Sequence, residues 1–153
     1  MLRISKITDY GVVLVTHLAL SSSEESYSVS SLAAATGVPE PTTAKVLKLL
    51  SAGGVVSSRR GAHGGYRLNR PADQISVADL VTALEGPIAV TECSDDVAVD
   101  RCDHEGSCDV RANWQRINVA VHQALSAISL ADMTRPLIAK LIPKERLLAG
   151  SKG

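Results

Sequence analysis

Between residues 37 and 71 the chain is cut by glycine and proline into segments too short for a large sheet or bundle, and that punctuation constrains the architecture. Gly37 closes one segment, and Pro39 and Pro41 open the next, which Gly53-Gly54 closes. Gly61-Ala62-His63-Gly64-Gly65 then separates two further runs, and Pro71 ends the last. Proline suits a helix start, where its missing N–H costs nothing, and glycine suits the residue past a helix end. Residues 39–52 therefore read as a helix, with Val46, Leu49 and Leu50 on an apolar face and Lys45 and Lys48 elsewhere. Residues 55–60 and 66–70 read as the strands of a hairpin whose glycine-rich tip can supply positive φ angles.

Helical periodicity flanks this unit. Ile7, Leu14, Val15 and Leu18 recur at helical spacing over about residues 7–20. Ser28 or Ser30 can cap a short helix over residues 29–36, and Ser76 another over 77–84, with Val77, Leu80, Val81 and Leu84 on one face. Arg3 and Lys6 precede apolar residues 11–20 as in a secretion signal, but Asp9 and His17 interrupt that pattern, so an amphipathic helix of a cytoplasmic protein is expected. No apolar run is long enough to cross a membrane. Phe is absent and aromatics make up 3% of the chain, so the core must be aliphatic. A stacking platform for single-stranded nucleic acid is thereby disfavoured.

The order helix, short helix, glycine break, basic helix and two-stranded ribbon is that of a winged helix-turn-helix, expected over residues 1–84. The fold class is mainly α with a small β wing, followed by a long dimerisation helix. In such a unit the second helix of the turn enters a major groove and the wing reaches the neighbouring backbone or minor groove of double-stranded DNA. Thr42, Thr43, Lys45 and Lys48 are then expected to face DNA, and Arg59, Arg60, His63, Arg67 and Arg70 to decorate the wing. The hydroxyls and lysines would position the helix or read bases, and the wing arginines would mainly meet phosphates.

A net charge of zero conceals strong regional bias. Residues 1–84 hold eight Lys/Arg against six Asp/Glu, residues 85–109 hold one against eight, and residues 110–153 hold seven against two. The acidic segment also carries all three cysteines, Cys93, Cys102 and Cys108, with eight and then five residues between them. An odd count forbids a closed set of intramolecular disulfides. Three thiolates can hold a soft metal, yet the close cysteine pair usual in structural zinc sites is missing. The wide spacing suits an iron–sulfur cluster, and Cys108 stands where a helix dipole favours thiolate. One iron position is left for His104, Glu92, Asp103, Glu105 or Asp109. Zinc held by the cysteines with His104, a redox disulfide with one spare thiol, and three inert thiols remain as alternatives. Residues 85–108 show no sustained period, which in a compact protein calls for something to order them.

A helix is expected from about Asp109. Val110, Trp114, Ile117, Val121, Ala124 and Ile128 are spaced as the a and d positions of a coiled coil. So long a stripe on so small a domain favours pairing with a second copy over residues 109–135; residues 130–142 are helical in pattern but interrupted by Pro136, and residues 136–153 form a C-terminal tail.

The stretch Leu2-Arg3-Ile4-Ser5-Lys6-Ile7-Thr8-Asp9-Tyr10, the wing Arg60-Gly61-Ala62-His63-Gly64-Gly65-Tyr66-Arg67-Leu68 and the three-cysteine loop before a long helix together resemble the IscR/NsrR family of bacterial transcription regulators. The likeness covers about residues 1–135. The N-terminal stretch and Val38-Pro39-Glu40-Pro41-Thr42 look closest to regulators of the SUF iron–sulfur assembly operon. The resemblance implies a homodimeric DNA-binding protein with an iron–sulfur cluster, [2Fe-2S] or [4Fe-4S], in each subunit. Cys93, Cys102 and Cys108 match the family's cysteine ligands, with a longer first gap than usual. The histidine that completes the site in the IscR branch is replaced here by Arg111. In the nitric-oxide-sensing branch an aspartate of the first helix, supplied by the partner subunit, takes that role, and Asp9 matches it.

The expected function is a cluster-sensing transcription regulator that represses iron–sulfur assembly genes from a palindromic operator, with a nitric-oxide- or redox-sensing regulator of the same family as the alternative. Cluster occupancy would order the loop between reader and dimer helix and so set the spacing of two recognition helices, which must meet half-sites about one DNA turn apart. Two rivals come from other classes: a thiol oxidoreductase using Cys102 and Cys108, which lacks a Cys-x-x-Cys pair, and a zinc-stabilised adaptor that binds only protein.

Overall fold

The computed structural model describes residues 4–21, 25–62, 64–91, 94 and 108–135. Helices α1 (Lys6–Leu20), α2 (Val29–Thr36) and α3 (Glu40–Ala52) precede strands β1 (Val56–Arg59) and β2 (Gly65–Leu68). A single 3₁₀ turn, Ala72–Gln74, leads into α4 (Val77–Glu85), and α5 (Arg111–Ser126) and α6 (Leu130–Thr134) follow. Serine side chains start three of the first four helices. Ser5, Ser28 and Ser76 each accept a hydrogen bond from the backbone N–H three residues on, which satisfies donors that a helix start leaves orphaned.

The core is aliphatic. Leu14, Leu32, Leu47, Leu50, Ile75, Leu80 and Leu130 are all fully buried. On α3 the inward positions are Thr43, Val46, Leu47 and Leu50, an i, i+3, i+4, i+7 stripe, while Leu49 is half-buried. The strands pair antiparallel, with Val56 opposite Leu68 and Arg59 opposite Gly65. The hairpin is tied to the body by Tyr27 and Tyr66, which exchange backbone hydrogen bonds of 3.0 and 2.8 Å. The helix-turn-helix with its wing is therefore the observed architecture, each element within about two residues of its expected bounds.

Helix α5 stops short of the dimerisation helix expected over 109–135, and α6 begins at Leu130, where a separate helical pattern is expected to begin. The chain leaves helical geometry at Ser126, and the Val77 N–H donates to the Ile128 carbonyl at 2.9 Å while the Leu130 N–H donates to Ile75 at 2.7 Å. Leu130 is fully buried and α6 packs on α1. Burying Leu130 is worth about 1.5–3 kcal/mol, which a straight continuation of α5 would forgo. The Ser129–Asp132 capping box starts α6. Ile128, expected on the helical seam, instead lies in this connection, and Val110 lies at the N-cap position of α5.

Candidate nucleic-acid interface and cysteine loop

Helix α3 presents Pro41, Lys45 and Lys48 to solvent, and their i, i+4, i+7 spacing puts them on one stripe. Ala44 is exposed beside them and Thr42 is half-buried. Sequence reasoning passed over Pro41 and Ala44, although the same period would have found them. Thr43 does not join this face and is a correction to the expected DNA contacts. It is fully buried, and its hydroxyl donates to the carbonyls of Val38 (3.3 Å) and Pro39 (3.2 Å). Three and four residues before Val46 and Leu47, it falls by helical period on the core side. Thr43→Val keeps the shape but removes the donor. Thermal or urea unfolding should then show a loss of about 1–3 kcal/mol from the carbonyls left short, with operator base preference unchanged.

On the wing, Arg59 and Arg60 are exposed. Beside them Gly64 approaches the Arg59 carbonyl so closely that a Cβ would overlap it. Gly65 has φ 145° and runs against the Tyr27 backbone. The tightness at Gly64 thus comes from steric approach and that at Gly65 from both approach and φ. Arg70 is committed internally: it donates to the Gln74 carbonyl at 3.1 Å and lies 3.6 Å from Asp79. Arg67 is half-buried on β2, and its Nε is enclosed without a hydrogen-bond partner. His63 lies outside the described residues.

Cys93 and Cys102 also lie outside the described residues, as do Glu92, Asp103, His104 and Glu105. Cys108 is a half-buried free thiol just ahead of α5, its carbonyl accepting the Arg111 N–H at 3.3 Å. Asp9 is exposed in the first turn of α1. A soft thiol and an uncommitted carboxylate are the donor types a cluster site asks for. The entry side of the cysteine loop is fastened twice. At its entry, the Glu85 carboxylate accepts from the Ser5 N–H at 2.9 Å and from the Thr8 hydroxyl. Further on, the Val90 N–H donates to the Asn118 side chain of α5 at 3.1 Å.

The Thr8 hydroxyl, more than the Ser5 N–H, holds the Glu85 carboxyl below the usual glutamate range, against a smaller opposing effect of burial. Such a group stabilises the fold above its unfolded value of about 4.3 and loses that contribution as pH falls through the lower folded value. Thermal melts should therefore put Glu85→Gln below the parent at pH 7. The gap should close below about pH 4. A gap independent of pH would mean the bonds do not depend on the carboxylate charge.

Helix α5 has no buried residue. Val110 (51%), Trp114 (38%) and Ile117 (44%) are exposed apolar groups, and Ala124 is exposed too. Val121 is half-buried together with Asn118 and Leu125, a face that sequence reasoning did not separate from the seam. Among the described residues no helix is long and apolar enough to cross a membrane.

A family model described as Rrf2, an iron-dependent transcriptional regulator, matches residues 4–136. Protein rrf2 of Nitratidesulfovibrio vulgaris is 31% identical over 143 residues, 94% of this chain and 93% of that one. The structure of CymR, the global cysteine regulator of B. subtilis, superposes with a TM-score of 0.66 at 32% identity, covering 88% of this chain and 97% of that one. That of T. potens IscR superposes with a TM-score of 0.65 at 26% identity, covering 96% of each.

Proposed function

Because the chain belongs to the Rrf2 family of iron-dependent transcriptional regulators, we propose that it is a homodimeric iron–sulfur sensor that represses iron–sulfur cluster assembly genes from a palindromic operator. DNA binding and transcription regulation come with the family, whose members are not enzymes. The cluster is the further step, and the observation that supports it is where the described ends of the cysteine segment lie. The loop leaves α4 at Glu85, which is fastened to α1, and arrives at α5 through Cys108.

Cys93, Cys102 and Cys108 would hold the cluster, with Asp9 of the partner subunit completing it. The bound group would supply redox and nitric-oxide reactivity. The chain's own part is mechanical. Ordering residues 86–108 would fix α5 against the reader through Glu85 and Asn118, and so fix the distance between Lys45 and Lys48 of one subunit and those of the other. Unordered, the same acidic loop could approach DNA and repel it.

Anaerobically purified protein should be coloured and contain iron and sulfide. Each of Cys93→Ala, Cys102→Ala and Cys108→Ala should remove the visible absorbance and most of the iron, and Asp9→Ala should weaken the cluster more than His104→Ala does. Full colour in all three cysteine variants would overturn the site. The likeness to a cysteine regulator favours one alternative, a thiol switch. That reading predicts colourless protein whose DNA affinity changes with oxidant.

A further inference from the structure

Arg67 stands out as a charged group with nothing to hold. Its Nε is buried and has no hydrogen-bond partner among the described residues, and such a group in a folded protein calls for an explanation. Arg67 lines a cleft of about 310 Å³ between the C-terminal end of α1 and the base of the wing. That volume is at the lower end of small-molecule sites. Leu18, Leu68 and Ala72 give the cleft aliphatic lining, and Glu25 lines it as well. Glu25 is held in place by the Tyr27 hydroxyl, which donates to its carboxylate at 3.1 Å. Arg70, although at the same cleft, is already engaged with Gln74 and Asp79.

We propose that this cleft binds a small aliphatic α-amino acid. The planar fork of Arg67 matches a carboxylate, the Glu25 carboxylate attracts an ammonium, and the aliphatic wall takes the side chain. A phosphate-bearing ligand is disfavoured by Glu25, and a nucleobase by a lining that has no aromatic ring among the described residues. The site is independent of the cluster and of its ligands. Because β2 forms one wall, an occupant would brace the wing against α1.

The test is an amide-resonance titration of the full-length protein with three probes: L-leucine, 4-methylpentanoate, which lacks the ammonium, and 3-methylbutylamine, which lacks the carboxylate. L-Leucine should saturate with a dissociation constant of about 1 mM or tighter, moving signals of residues 18–21 and 67–72. The amine should not bind, and 4-methylpentanoate should bind at least several-fold more weakly than L-leucine. Arg67→Met should weaken L-leucine at least about tenfold, and Arg67→Lys should also weaken it, because an ammonium has no fork. Ligand-free Arg67→Met should melt no lower than the parent, since the change removes an unpaired buried donor. The assignment is overturned if L-leucine does not saturate, if the shifts fall elsewhere, or if 4-methylpentanoate binds as tightly. It is equally overturned if Arg67→Met binds like the parent or melts well below it, which would make the guanidinium purely structural.

Discussion

Ile117→Glu should convert the protein to monomers and largely abolish operator binding. Ile117 is 44% exposed on a helix with no buried residue, between Trp114 and the half-buried Val121. Covering the exposed 44% of this isoleucine is worth about 0.7–1.3 kcal/mol, and a two-fold interface loses the contribution twice. That is about 1.3–2.6 kcal/mol before the cost of burying two carboxylates, or dimerisation weakened roughly 10–10²-fold by lost apolar burial alone. A monomer also loses the tether that makes its second half-site contact intramolecular. Sedimentation at micromolar concentration reads the assembly, and the chain's single tryptophan, Trp114, reports the uncovering of the face by a red-shifted emission. Gln123→Glu, exposed and on another side of α5, is the control. Val121→Glu is less clean, because Val121 is half-buried within its own subunit. If Ile117→Glu remains dimeric, copies do not meet through this face.

The reader unit was legible because its signals are local. Serine caps, glycine stops and the apolar period at Val46 and Leu50 each act within one or two turns, and the elements followed them closely. The misjudged residues divide between a local period not followed far enough and packing between distant parts of the chain. Thr43 looks like a polar surface residue until the helical period around Val46 is extended backwards, and only the Val38 and Pro39 carbonyls reveal what its hydroxyl does. The break after Ser126 carries a local signal in Ser129-Leu130-Ala131-Asp132, but the heptad spacing through Ile128 outweighed it. The pairing with Ile75 that decides the matter spans more than fifty positions. Gly11 gave no signal at all, yet a Cβ there would overlap Leu84, so it sets how closely α1 approaches α4. The cysteine loop was legible as chemistry only, since spacing names donors without saying how the chain folds around them.

Joint replacement of Arg59 and Arg60 by alanine should flatten the salt dependence of DNA binding more than any change on α3. Both side chains are exposed at the end of β1, where the closeness of Gly64 to the Arg59 carbonyl shapes the wing tip. If each meets one phosphate, a dimer loses four contacts. The log–log slope of affinity against salt should then fall by about 3 to 4, at about 0.9 per phosphate. The deficit relative to the parent should shrink roughly a hundredfold between 50 and 200 mM salt, and it should be alike for operator and unrelated DNA, because phosphates carry no sequence. Lys45→Ala should behave differently. Lys45 lies on the exposed stripe of α3, so where it reaches a base edge its loss costs about 1–3 kcal/mol on the operator and little on random sequence. Binding titrations over a salt series, at equal iron content, separate the two patterns. An unchanged slope in the double arginine variant would remove the wing from the DNA interface and leave α3 as the whole contact surface.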